Sequence, residues 1–169
     1  GYTGANGTDI SGQISVAAKN DISVTNSGPG SSGIGHRSSA STAAIDGEID
    51  LRAETGDITV MADSGYEVRI GHEGMDSVSG GILLEARQGA IVLDSGDGKV
   101  VVGSLGNSTV GEIVLDAKSI TLDATGGGTA KVGGEESGGG GGSGSIAIRG
   151  FEGIALLDSE GEESSGGWE

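Results

Sequence analysis

The chain has 169 residues, of which 37 are glycine and only four are aromatic, and it contains no cysteine. That excludes a thick aromatic core, a disulfide framework and thiolate chemistry. Nine basic side chains against 25 acidic ones leave a net charge of −16. This excludes a broad cationic surface for nucleic acid or for an anionic membrane, and no apolar run approaches the roughly 20 residues that cross a bilayer.

Residues 1–11, GYTGANGTDIS, read as a loop-like junction segment with one aromatic residue, Tyr2. From Gly12 a pattern begins that recurs five times: GQISVAA from Gly12, GEIDLRA from Gly47, GGILLEA from Gly80, GEIVLDA from Gly111 and GSIAIRG from Gly144. The intervals between these glycines are 35, 33, 31 and 33 residues. Each segment alternates with period two, the signature of a strand that buries one face. The buried positions are Ile14 and Val16, Ile49 and Leu51, Ile82 and Leu84, Ile113 and Leu115, and Ile146 and Ile148.

A second strand follows each of these after a short corner. Its buried pairs are Ile22 and Val24, Ile58 and Val60, Ile91 and Leu93, Ile120 and Leu122, and Ile154 and Leu156. A third, shorter element ends in an aliphatic-glycine pair: Ile34-Gly35, Ile70-Gly71, Val102-Gly103 and Val132-Gly133. Loops rich in Gly, Ser, Asp and Glu separate the elements and vary in length while the strands keep phase.

A unit of this size cannot bury its own apolar face, and stacking the units buries a continuous aliphatic column. The fold class expected is therefore all-β, a parallel β-helix or β-solenoid. It has about five coils of 31–35 residues with three strands per coil, forming a single domain over 1–169. Residues 12–158 hold the coils and 159–169 a C-terminal junction segment that includes Trp168. From Gly144 to the chain end there are 25 residues, and 12 more lead to Gly12 of a following copy. The resulting 37 is close to one repeat. The expectation is that the last coil is completed by the next copy, with Tyr2 and Trp168 packed at the joint. The chain is then either a subunit stacking head to tail or one unit of a tandem array.

Strand pairs such as GDITVMA (56–62) followed by Ile-Gly-His at 34–36 and 70–72 resemble the filamentous haemagglutinin class of bacterial exoproteins, the passengers of two-partner secretion. The general pattern covers 12–158, and the Ile-Gly-His motif occurs in the first two repeats only. The resemblance implies a right-handed parallel β-helix, exported and located at the bacterial surface or outside the cell. It implies a stalk, an adhesin or a toxin carrier.

His36 and His72 are the only histidines and fall at the same point of adjacent repeats. Stacked about 4.8 Å apart, they could share a metal, with Glu73 assisting. Ser104 and Gly134 take this position in the next two repeats, which favours a structural turn residue. Asp94 and Asp97, in DSGDGK, superficially suggest a Ca²⁺ loop but lack the ordered oxygen spacing of one. The cation association expected is loose Ca²⁺ bridging through GGEESGG (133–139) and DSEGEESS (158–165). No cofactor is expected.

Asp50 with Arg52, Glu85 with Arg87, and Asp116 are outward strand residues that read as cross-coil ion pairs. No nucleophile elbow or phosphate loop is present, so no catalytic residue is assigned and the chain is not expected to be an enzyme. The expected role is a structural extracellular filament or stalk for matrix or surface attachment, with itself as partner. An alternative is an adhesin passenger that binds glycan or host protein through its loops. A polysaccharide-degrading enzyme on the same scaffold is more distant.

Overall fold

The computed structural model describes residues 3–4, 9–39, 44–136 and 143–157, and among them every regular element is a strand. All pairings between strands are parallel. The chain winds as a β-solenoid of four full turns, with a fifth rung formed by the first two walls.

The first wall pairs Ile14 with Ile49, Ile49 with Ile82, Ile82 with Ile113 and Ile113 with Ile146. The second wall aligns Ile22, Ile58, Ile91, Ile120 and Ile154. The third aligns Ile34, Ile70, Val102 and Val132 in strands Ser31–Ile34, Glu67–Ile70, Lys99–Val102 and Thr129–Val132. Each column therefore joins the residues that occupy the same phase of the repeat.

The alternation in sequence has a direct energetic consequence. Leu51, Ile58, Leu84, Ile91 and Leu93 are fully buried in one core with Val68, Ile70, Val100 and Val102 of the third wall. Each such side chain contributes about 1.5–3 kcal/mol by leaving water. Among the described residues this core contains only Ile, Leu, Val and Ala, so it is thin and aliphatic.

The corner between the first two walls changes along the stack. In the first two coils it interrupts the strand, separating Ile14–Ala18 from Ile22–Asn26 and Ile49–Ala53 from Ile58–Ala62. Higher up, one strand bends through it: Ile82–Asp94, Ser108–Asp123 and Ser143–Leu157. Register shifts between Ala86 and Ala90 and between Ala117 and Ser119 absorb the differing corner lengths.

A further ladder was not anticipated. Ile10–Ser11 pairs with Ile45–Asp46, which pairs with Ser77–Ser79. Ile10, Ile45 and Val78 form a small separate core under the loops. The stack thus begins ahead of Gly12, and the expected N-terminal junction segment contributes a strand to it. Tyr2, Trp168 and the expected C-terminal junction 159–169 lie outside the described residues.

Two glycine columns make the close stacking of corners possible. A Cβ on Gly47 would lie 2.0 Å from the Gly12 carbonyl oxygen, and one on Gly80 only 1.6 Å from that of Gly47. At the third corner a Cβ on Gly35 would meet the Gly71 oxygen at 1.9 Å, and one on Gly103 the Gly133 oxygen at 1.9 Å. Only hydrogen fits between backbones at these distances.

Candidate functional site

The third corner follows the aliphatic-glycine pair and carries His36, His72, Ser104 and Gly134 in successive coils. The two imidazoles stack with centroids 5.1 Å apart and planes 6° apart. Both are buried, His72 completely. Their ring nitrogens are used within the fold. The Nδ1 of His72 accepts the backbone N–H of His36 at 3.0 Å, so its Nε2 carries the proton and donates to the Gly47 carbonyl at 2.9 Å. The Nε2–H of His36 donates to the Gly12 carbonyl at 3.1 Å. One coil on, Ser104 Oγ accepts the His72 N–H at 3.1 Å.

The column therefore follows a rule. The N–H of each rung is accepted by the side chain of the next, and each ring ties the third corner to the corner glycine of its own coil. Burial pushes the His72 imidazole below its ordinary value. The hydrogen bond to Gly47 acts in the opposite direction, and the neighbouring His36 adds to the lowering. A neutral ring suits this place, because an imidazolium has no lone pair for the His36 N–H.

The metal reading of this pair meets two obstacles. The two His72 nitrogens and His36 Nε2 are engaged with backbone, and Glu73, the expected helper, pairs with Arg37 at 2.7 Å instead. Among the described residues no group of three or more His, Cys, Asp or Glu is gathered as a metal would need. Asp94 and Asp97 are not brought together as ligands. Asp94 Oδ1 accepts the Gly96 N–H at 2.9 Å, and Asp97 Oδ1 accepts the Gly65 N–H from the coil below at 3.0 Å.

A charged groove on the outer face of the third wall was missed from sequence. Glu135 sits at its centre, 2.8 Å from Lys99 Nζ and 3.6 Å from Lys131 Nζ, and also pairs with Arg69. Arg69 is buried; it reaches Glu67 at 2.7 Å and donates to the Gly103 carbonyl at 3.1 Å. Burial by itself raises the Glu135 carboxyl. The hydrogen bonds and charges of Lys99 and Arg69 outweigh this and hold it at about 2. Glu135 was expected, within GGEESGG, to bridge cations loosely. In the structure it has three cationic partners, Arg69, Lys99 and Lys131; residues 137–139 of that stretch lie outside the described residues. The signal in the sequence was faint: Arg69 and Lys131 share one outward register row, and Glu67 and Lys99 another.

On the first wall the expected ion pairs form a zigzag. Arg52 contacts Asp50 at 2.8 Å and Glu85 at 3.6 Å, and Arg87 contacts Glu85 and Asp116 at 3.3 Å each. Both arginines are exposed, so the pairs with Asp50 and Glu85 contribute about 0.2–1 kcal/mol each, whereas Asp116, expected as an outward solvated residue, is itself buried.

Compared with known proteins, the chain matches no family model, no curated protein and no solved structure.

Proposed function

We propose that the chain is a structural segment of an extracellular β-solenoid rod that lengthens by stacking coil on coil, either head to tail between copies or along a tandem array. The observation that carries this reading is the state of the terminal rungs. Within the stack Leu51, Leu84 and Ile91 are 0 % exposed, whereas Val16 in the first rung is 37 % exposed, and Ile146 and Ile154 in the last are 53 % and 49 % exposed. These are the same inward columns, open at both ends among the described residues. Strand edges open there too, at Ile14–Ala18 below and Ser143–Leu157 above. An open edge over an uncovered aliphatic column is a template for another strand of the same phase. A head-to-tail contact of this kind does not close on itself and gives filaments.

Secretion and surface attachment are part of the proposal. They are supported by the resemblance of the GDITVMA and Ile-Gly-His segments to two-partner-secretion passengers. Sedimentation velocity across a concentration series, with negative-stain microscopy, tests the stacking. Lengthening rods of uniform width are expected, and Val16→Lys and Ile154→Lys should shorten them. A monomer at every concentration would overturn stacking between copies. If that monomer also bound a glycan array, the adhesin reading would take its place.

A further inference from the structure

The rule of the histidine column breaks at its fourth rung. His36 N–H is accepted by His72, and His72 N–H by Ser104. The Ser104 N–H faces a rung where the residue is Gly134, and among the described residues nothing accepts it. The corner carbonyls follow the same sequence. Gly12 and Gly47 each receive an imidazole N–H, but no imidazole exists to reach Gly80 or Gly111. Where the two missing rings would lie there is a cavity of about 270 Å³, open on one side. Ser104, Thr109, Gly134, Gly80, Ile82 and Ile113 are among the residues that line it, and it extends to Ile146 of the last rung.

We infer that this cavity is a binding site for a small neutral azole, an imidazole ring supplied from solution in place of the absent side chain. The ring's pyridine-type nitrogen accepts the Ser104 N–H, as His72 does for His36, and its N–H donates to the second lone pair of the Gly111 carbonyl, whose residue is already paired with Gly144 in the strand ladder. Ile82 and Ile113 supply apolar contact to the ring carbons. A Kd on the order of 1 mM, about −4 kcal/mol, lies well within what a ligand of five heavy atoms can reach. Recognition depends on having one donor and one acceptor across the ring, because a buried polar group left unpaired weakens binding about tenfold.

The test is thermal melting of the intact protein at about pH 8, where imidazole is neutral, with imidazole and 1-methylimidazole as probes. Ten-millimolar imidazole should raise Tm by about 3 °C, and above the Kd the rise should grow with the logarithm of the imidazole concentration. 1-Methylimidazole, which accepts but cannot donate, should give a rise at least several-fold smaller. A covalent version supplies the second arm. A Cβ on Gly134 would lie 2.7 Å from Thr109 Oγ1, so Gly134→His is made together with Thr109→Ala. The double variant should melt higher than Thr109→Ala alone and lose its response to imidazole, while Thr109→Ala keeps it. No rise with imidazole, an equal rise with both probes, or an undiminished response in the double variant overturns the site. Should the double variant not fold, the comparison of the two probes on the unmodified protein decides by itself.

Discussion

The first two coils and the last two build the same cross-section with different means at the corners. In the lower coils side chains cross from rung to rung. His36 is tied to His72 and His72 to Ser104, while Asp21 Oδ1 accepts the Asp57 N–H at 2.9 Å and Asp57 Oδ1 accepts the Ala90 N–H at 2.7 Å. In the upper coils the equivalent positions are Gly134, Ser119 and Gly153, and long strands run through the first corner instead. A corner can thus be held by a side chain that accepts its N–H groups or by a backbone ladder that leaves few groups over. The first solution confers local rigidity but depends on specific residues. The second needs only small residues and tolerates variation in sequence.

The largest effect should come from a feature both regions share. In Gly80→Ala the new Cβ would lie 1.6 Å from the Gly47 carbonyl oxygen. Backbone must move in two coils at once, so a loss of at least about 4 kcal/mol, or no folded protein, is expected in chemical denaturation. A mild effect would mean that the corner glycines are not the tight point of the stack.

The next prediction separates the two regions. His72→Ala leaves the His36 N–H and the Gly47 carbonyl without partners and empties the space of a buried ring. A loss of about 3 kcal/mol is expected. Ser104→Ala strands only the His72 N–H and should cost about 1–2 kcal/mol. Hydrogen exchange should show His72→Ala loosening the first two coils while 108–123 keeps its protection. Uniform loosening would dissolve the distinction between stapled and unstapled coils.

Acid should act on the same contrast in two stages. The folded-state value of His72 lies below its ordinary 6.5. Between the two values the unfolded chain binds the extra proton. Stability from the neutral ring is therefore complete above pH 6.5 and declines as the pH falls below it. Glu135 falls from an ordinary 4.5 to about 2 in the folded state. Its contribution is complete above pH 4.5 and is lost as the pH drops from 4.5 towards 2. Allowing for the solvent that reaches the groove, it amounts to about 1–2 kcal/mol. Exchange measured against pH should open the histidine corner first and the third-wall groove later. In His72→Gln the step below pH 6.5 should vanish while the lower step stays.

Most of this architecture was readable from period-two alternation, because register in a solenoid follows the repeat and Ile14, Ile49, Ile82, Ile113 and Ile146 could align in one way only. The small ladder of Ile10, Ile45 and Val78 was not read, since strands of two or three residues have no alternation to show. Its trace was nonetheless present: each of the three stands two residues ahead of a corner glycine, Gly12, Gly47 or Gly80. The role of the histidines could be narrowed to a turn, but their partners could not be named. A carbonyl 24 or 25 residues away in sequence becomes a neighbour only once the coil closes. Glu135 was harder still, because its ion pairs join residues from three different coils.

The smallest effect concerns the aspartate staple at the first corner. Asp57→Ala removes the acceptor of the Ala90 N–H, but this corner is exposed and water can take the carboxylate's place. A loss of no more than about 1 kcal/mol is expected. Asp57→Asn keeps an acceptor oxygen and should recover most of it, so the effect belongs to the hydrogen bond rather than to the charge. If Asn and Ala were equally destabilising, the charge would be the cause. Lowering salt should then weaken the stack further, since the carboxylate stands in a chain that already carries 25 acidic residues. An aspartate that acts through its oxygen can recur in every coil of such a chain without loss. One that acts through its charge adds to the repulsion with each copy, and the restriction of this staple to the first two coils would then follow from electrostatics.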